Sequence, residues 1–566
     1  MDKSELPGDI TELKEKAEAG DAAAQVELGN KYYQGIDVEQ NNNLAVEWCR
    51  KAAEQGHPRG QNAMGIMYQN GFGVEQSFSE ALAWYNKAAE QGYAAAQNHI
   101  GAMYRNGHGV EQSDSEAIAW YSKAAEQDYP SAQTNLGWMY SNGYGVETNH
   151  SEALAWYTKA AAQGNAQAQN NIGVLYQNGE GVKKNSTEAV AWYRKSADQK
   201  NARAQFNLGL MYINGNGVEK NYVQAQELFR NAALSTDPDL RFDAIEKQDQ
   251  AERYIICPKI TDIRKKILNQ LRVNTNTMST MTHYTSLSVG SLLLLEKSPL
   301  RLGHISALND PNEGKLLWRY LGHEPVEGKP AFVGCYLPED DSLNMWRFYS
   351  KNHQNDDACG CAITFNTKGF FNFNLLPESS IDINNNEEDA AFSNSGKSPQ
   401  ESASFYRIIY TDDGMNIRGD DSPSLGKAFS ELKSAVDEFL GKKPDNKKFQ
   451  QLSRLLGPLP YLLKDTDYES EKEHRIIVTH LNYGSKEIQV EKPLLENGIP
   501  KTSPKLYLEL HRTDHLAPVR HVTLGPKAPY QEMMAPYWHH RLASEFPNQL
   551  KTKPDFYVRT SKCAYK

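Results

Sequence analysis

The residues whose types and spacing could do chemistry lie in the second half of the chain. A strand ending in His283-Tyr284-Thr285 runs into an apolar helix, SVGSLLLLEK, and then into a second short strand that opens at Leu300-Arg301-Leu302. Polar groups that follow a strand converge where strands end, which puts Arg301, Asn309, Asp310 and Glu313 at one mouth. Later, Glu471, Glu473 and Arg475 alternate at the entrance of an HRIIV strand, so all three project to one face. Such an alternation serves either as a pair of acids for chemistry or as an ion pair that holds the strand. His283 likewise reads either as a functional imidazole or as a core histidine whose ring nitrogens are satisfied by backbone. Asn309-Asp310-Pro311 reads either as pocket lining or as a turn with an Asx cap.

Metal and hydrolase chemistry have less to stand on. Cys359-Gly-Cys361 has His353 six residues earlier but no second cysteine pair, and the neighbouring side chains of His539-His540 diverge on a helix, so no metal site is expected. The chain has no GxxxxGK[ST], GxSxG or HExxH motif to cradle phosphate, present a serine nucleophile or bind zinc.

Bulk properties narrow the class. The formal net charge is -10 and the sequence pI about 5.9, which argues against a general nucleic-acid binder, because neutralising phosphates needs a surplus of Lys and Arg. Six cysteines without a regular framework suggest free thiols and a cytosolic setting. The opening MDKSELPGDITELKEKAEAG lacks the basic and apolar regions of a secretory leader, and no apolar run approaches bilayer-spanning length. Delivery by a dedicated secretion machine would leave no such leader, so an exported effector is compatible with the same sequence.

The elements that must carry these residues follow a long repeat. Glycines at 29, 65, 101, 137, 173 and 209 step by 36, and Trp48, Trp84, Trp120, Trp156, Trp192 and then Leu228 march in the same register, giving six units. In AAAQNHIGAMYRNG, Ala96, Ile100, Met103 and Tyr104 recur at helical spacing, and glycines end the helix. Ser115 is expected to cap a second helix bearing Ala117, Trp120, Tyr121 and Ala124 on one face. One helix pair cannot bury its own Trp and Tyr, so neighbouring pairs must stack into a right-handed α-solenoid with both aromatic columns in its core. The column Val26, Asn62, Asn98, Thr134, Asn170 and Phe206 varies between units and is expected to read a partner.

Residues 22–234 resemble the Sel1-like repeat family, a relative of tetratricopeptide repeats, through AxxxLGxxY, NGxGV and EAxxWYxKAA elements; the first unit departs with QGIDV at 34–38. The resemblance implies a protein partner on the concave surface and no chemistry. Residues 1–21 read as an N-terminal cap and 235–280 as a helical cap and linker, with Pro258 ending one helix and another spanning Thr261 to Leu271.

From 281 to 566, β-like runs (AFVGCYL, CGCAITF, FYRIIYT, HRIIVTH, KLYLELH, VRHVTLG) alternate with helical stretches, an α+β domain. The fold class is thus a multidomain chain, all-α solenoid first and α+β second. Four islands, HYTS with LRLGHISALNDPNEG, LNMWRFYSKNH, YESEKEHRII and VRHVTLGPKA, resemble a widespread bacterial domain of unknown function, with His474 standing where that domain usually has Trp.

The strand-helix-strand opening also looks like the first element of mono-ADP-ribosyltransferases, though without their H-G-T spelling. That likeness implies NAD as cofactor: His283 would hold its adenosine ribose, with Tyr284, Arg301, Asn309 and Asp310 beside it. Tyr349, which with Trp346 also reads as helical packing, would stack on nicotinamide. Glu471 or Glu473 would steady the oxocarbenium-like transition state, where positive charge develops as the glycosidic bond breaks. The opposing expectation is an adaptor without chemistry.

Overall fold

The computed structural model describes residues 8–274, 278–296, 298–304, 314–326, 329–337, 359–367, 370, 404–412, 416–417, 422–479, 481, 488–491, 495–496, 499–500, 505–510, 516, 518–547, 549 and 556–562. The chain divides into two compact units, one running through Asn221 and one beginning at Tyr222 among the described residues.

In the first unit the 36-residue period becomes a stack of helix pairs. The first helices are Ala22–Gln34, Pro58–Asn70, Ala94–Asn106, Pro130–Asn142, Ala166–Asn178 and Ala202–Asn214; the second helices are Asn42–Glu54, Phe78–Glu90, Asp114–Ala125, His150–Ala162 and Ser186–Asp198. Each second helix opens on Asn41, Ser77, Ser113, Asn149 or Asn185, whose side-chain oxygen accepts from a backbone N–H in the first turn. The cap of the third unit is therefore Ser113 rather than Ser115. Ser113 has the extended backbone a cap needs, whereas Ser115 already lies inside the helix.

The glycines have two separate jobs. Those at the 36-residue step make room: a Cβ on Gly65, Gly101, Gly137 or Gly173 would come within 2.4, 2.7, 2.8 or 2.6 Å of the ring of Tyr85, Tyr121, Tyr157 or Tyr193. The second glycine of each NGxGV loop has positive φ and lies on the preceding unit. A Cβ on Gly73 would meet the Asn42 carbonyl at 2.5 Å, and one on Gly217 would meet Ser186 backbone at 2.3 Å. Each loop thus rests on the first turn of the second helix one unit earlier. The first unit has Asp37, φ 61, at this position.

The two aromatic columns differ, contrary to the expectation of one shared core role. Tyr85, Tyr121, Tyr157 and Tyr193 are fully buried. Trp84, Trp120, Trp156 and Trp192 are half-buried, and each carries an ammonium, Lys87, Lys123, Lys159 or Lys195, 3.9–4.1 Å above its ring. Within each of the first five repeats a pair of glutamines joins the end of the second helix to the first helix. Gln55, Gln91, Gln127, Gln163 and Gln199 donate through Nε2 to Oε1 of Gln25, Gln61, Gln97, Gln133 and Gln169 at 2.7–3.0 Å. Gln25 and Gln133 in turn donate to the carbonyls of Ala17 and Ala125.

The second unit starts with the helix Tyr222–Ala232, which packs on Pro238–Ile256 with Tyr222 stacked on Tyr254 at 4.7 Å. Pro258 opens the next helix, Pro258–Leu271, three residues before the expected start, because its fixed φ and missing N–H suit a first helical position. Fourteen strands follow among the described residues: β1 Thr280–Thr285, β2 Leu300–His304, β3 Phe332–Tyr336, β4 Cys361–Asn366, β5 Ser404–Arg407, β6 Ile409–Thr411, β7 Leu463–Asp465, β8 His474–Val478, β9 Ile488–Glu491, β10 Leu495–Glu496, β11 Ile499–Pro500, β12 Lys505–Leu510, β13 Val519–Leu524 and β14 Tyr557–Thr560. They form a six-stranded sheet, β5-β8-β3-β2-β12-β9, a four-stranded sheet, β1-β4-β13-β14, and two small pairs.

One face of the six-stranded sheet, with Leu302, Phe332, Tyr336, Ile476 and Leu508, shares a core with Met281, Ile363 and Val522 of the four-stranded sheet and with Trp538. The opposite face, with Val333 and Ile477, packs on helices through Leu268, Phe429 and Leu455. The helix Leu287–Leu294 separates β1 from β2 as expected, but these two strands belong to different sheets.

Candidate functional site

The alternating acids before β8 sit in a buried ionic network. β7 supplies Lys464, the 3-10 turn Thr466–Glu471 supplies Glu471, and β8 supplies Arg475. Arg475 Nε donates to Glu473 Oε1 at 2.7 Å and its second terminal nitrogen donates to Oε2 at 3.1 Å, a two-point grip. Lys464 Nζ bridges Glu473 Oε2 at 3.1 Å and Glu471 Oε2 at 2.7 Å. The remaining donors are used as well: Arg475 Nη1 bonds the Tyr461 carbonyl at 2.7 Å, and the Glu473 N–H donates to the Tyr410 hydroxyl at 2.7 Å.

All four charged side chains are buried, with Glu473 and Arg475 at 1% exposure, and the two cations balance the two anions. Burial alone would push the Glu473 carboxyl up, but Arg475 and Lys464 together pull it down to about 2. A carboxylate held this way is a poor proton donor and is committed to its own cations.

His283 lies elsewhere. Thr282 of β1 pairs with Leu337 just past β3, and the partly buried His283 ring bonds through Nδ1 to the Cys335 carbonyl at 3.3 Å and tilts against Tyr336 at 5.7 Å. Burial lowers its pKa, against the raising effect of that backbone bond. Tyr336 faces the shared core, whereas Cys335, opposite Arg475 in the β3–β8 register, faces the other way. His283 and Glu473 therefore lie on opposite faces of the six-stranded sheet.

Tyr284 is buried on the opposite face of β1 from His283. Arg301 is half-exposed on β2, paired with Glu509 at 3.2 Å and Glu491 at 3.5 Å and lying over the Tyr507 ring at 4.1 Å. The structure does not bring these residues together with the acids. Tyr349, Asn309, Asp310, Glu313, Trp346 and His353 lie outside the described residues. Cys361 is buried with its sulfur 3.7 Å from the Ser286 carbonyl, and no group of three metal-ligating side chains occurs among the described residues.

The solenoid presents a different kind of site. Of the column expected to read a partner, Val26, Asn62, Asn98, Thr134 and Asn170 are buried, at 1–8% exposure, and Phe206 is half-buried. Asn98 and Asn170 bond to the neighbouring unit, accepting from Asn135 Nδ2 at 2.8 Å and Asn207 Nδ2 at 3.0 Å, while Thr134 donates back to the Pro130 carbonyl of its own helix at 2.9 Å. Variation along that column is variation in inter-unit packing. The adjacent column, Glu27, Ala63, His99, Asn135, Asn171 and Asn207, is half-buried or exposed and equally variable. It was legible in the sequence only as the next position in the period.

Comparison with known proteins fits this geometry. The Sel1 repeat family profile matches six consecutive stretches, 22–57, 58–93, 94–129, 130–165, 166–201 and 202–237. Residues 22–237 are six Sel1 repeats. A second family, described as a protein of unknown function (DUF2971), matches residues 345–476, which include β4 to β7, the start of β8 and the ionic network. The secretory immunoglobulin A-binding protein EsiB of Escherichia coli O6:H1 is 44% identical over 43 residues, 8% of this chain and 9% of that protein.

Among solved structures, a protective antigen of uropathogenic Escherichia coli with an SLR fold is 34% identical, covering 45% of this chain and 59% of its own, with a TM-score of 0.37. A Sel1 repeat protein from Oxalobacter formigenes is 31% identical, covering 39% and 98%, also with a TM-score of 0.37. The chain therefore spans less than two thirds of the curated relative and of the uropathogenic antigen. No described helix is long and apolar enough to cross a membrane.

Proposed function

We propose that this chain is a protein-binding scaffold whose Sel1 repeats hold a partner along the outward face of their first helices. The observation that carries this reading is the division of labour within each repeat. Packing positions such as the Gly–Tyr pairs and the Gln pairs recur at every step, while the half-exposed column from Glu27 to Asn207 changes from repeat to repeat. Side chains that vary and stay partly at the surface, even where Asn135 and Asn207 also pair with the preceding repeat, are where specificity is written. A photo-crosslinking side chain at position 135, compared with one at position 123 on a second helix, tests this in producing cells. Discrete protein adducts from 135 alone are expected, and their absence from 135 overturns the reading.

For the second unit, the same reasoning favours a framework role for Glu471 and Glu473 over NAD-dependent ADP-ribosyl transfer. Both acids are already matched to Lys464 and Arg475, and His283 faces the other side of the sheet. Incubation with millimolar NAD is expected to give neither a thermal shift nor nicotinamide release. Release that a folded Glu473→Gln variant abolishes would overturn this assignment.

A further inference from the structure

The charges of the repeats are sorted by helix. The six first helices hold four cations, Lys31, Arg59, Arg105 and Arg203, and one anion, Glu27. The second helices of the first five repeats hold nine acids and seven cations. In a chain of net charge -10, the first helices themselves are thus almost clear of carboxylates, while the loops that follow them carry acids such as Asp37, which pairs with Lys31 at 2.7 Å, Glu111 and Glu147.

Two large aromatic side chains, Trp138 on a first helix and Tyr144 in the loop that follows it, meet beside one of the first-helix cations. Trp138 stands where the other repeats have Asn30, Ile66, Ala102, Val174 and Leu210. Tyr144 stands where they have Ile36, Phe72, His108, Glu180 and Asn216, and it stacks on Trp138 at 4.8 Å with the rings 12° apart. Arg105, from the preceding repeat, lies 3.9 Å over the same indole. Stacking fixes the plane of the guanidinium before any partner arrives, which lowers the ordering cost of binding. Trp138 is 8% exposed beneath this cover, and Tyr144 is 39% exposed beside it. Tryptophan, tyrosine and arginine are the residues that dominate binding energy at protein interfaces.

We propose that the first-helix face, centred on Arg105, Trp138 and Tyr144, binds an acidic, extended segment of the partner protein. The inference rests on the scaffold reading above and adds the chemistry of what is held. Charge complementarity selects the acidic segment: carboxylates meet Arg59 and Arg105 on this face, whereas on the second helices they would meet a surplus of acids.

The test uses the full chain and three fluorescein-labelled twelve-residue peptides, (Glu-Ala-Tyr)4, (Gln-Ala-Tyr)4 and (Lys-Ala-Tyr)4, read by anisotropy, with a labelled oligothymidylate as a fourth probe. The glutamate peptide alone is expected to bind, and to weaken as salt rises. Arg105→Gln should reduce that affinity by about tenfold, the scale of one charge-assisted contact, with an unchanged melting temperature. Lys123→Gln, on a second helix, should leave the affinity as it was. Equal binding of the glutamine peptide, indifference to Arg105→Gln, absence of binding by every peptide, or tighter capture of the oligothymidylate would each overturn the inference. Protein adducts from position 135 together with indifference to the glutamate peptide would overturn the acidic specificity while leaving the scaffold reading standing.

Discussion

Gly101 and Tyr121 claim the same space. A Cβ on the glycine would lie 2.7 Å from the tyrosine ring, which is itself 1% exposed and cannot swing into solvent. Gly101→Ala should therefore destabilise the first unit by about 1–3 kcal/mol, the usual cost of overpacking a closed core. Gly426, in the helix Ser422–Leu440, has nothing within 4 Å of its would-be Cβ, so Gly426→Ala should be stabilising by about 0.5–1 kcal/mol. Urea unfolding of the two variants, followed by far-UV circular dichroism, checks the opposite signs.

The glutamine pairs are expected to be coupled. Gln127 donates to Gln97 at 2.7 Å, and Gln97 is 6% exposed, so removing either partner strands the other amide. Gln127→Ala should cost about 1 kcal/mol. A double-mutant cycle with Gln97→Leu should return a coupling of about 0.5–1.5 kcal/mol; strict additivity would show that the pair contributes nothing.

Glu473 should make the second unit sensitive to acid. Its folded carboxyl sits at about 2, below the value of about 4.3 for an unperturbed glutamate, so the unfolded chain binds the proton first. The stabilisation it provides is full above pH 4.3 or so and is lost as pH falls toward 2. Glu473→Ala, which leaves Arg475 and Lys464 buried beside a missing charge, should cost about 3–5 kcal/mol at neutral pH. It should also flatten the dependence of stability on pH in that acid window, measured by near-UV circular dichroism.

Thiol labelling should sort the cysteines. Burial pushes Cys49 and Cys361 up to about 12, so neither offers a thiolate at neutral pH, whereas Cys257, Cys335 and Cys359 are half-buried. Iodoacetamide on the native chain, read by peptide mass spectrometry, should spare Cys49 and Cys361 until denaturant is added. Early modification of either would contradict the burial.

The solenoid was legible because a strict period leaves few ways to stack helices, and NGxGV announces its own turn. What the period hid was orientation. Tyr121 and Trp120 are neighbours with the same apolar character, yet one fills the space opposite Gly101 and the other lies half-open beneath Lys123. Likewise Asn98 varies like a surface residue but is buried, because Asn135 of the next repeat pairs with it.

In the second unit the strands were legible as apolar runs, but their partners were not, since alternation assigns faces rather than neighbours. FYRIIYT shows the limit. It breaks at Ile408, whose N–H goes to the Glu473 carbonyl, leaving β5 to pair with β8 and β6 with β7. The same limit separated His283 from Glu473: both stood at strand ends in the sequence, and only the sheet shows them on opposite faces.

The resting of each NGxGV loop on the helix one repeat earlier gives the array a direction in time. On the ribosome, the start of a repeat's second helix is covered only after the loop of the following repeat has emerged, so the solenoid is completed one unit behind synthesis. Trimming repeats from the front takes away the helix start on which the next loop rests, and a cut behind any repeat exposes a helix start that its successor would have covered. Either cut leaves one half of an inter-repeat contact uncovered.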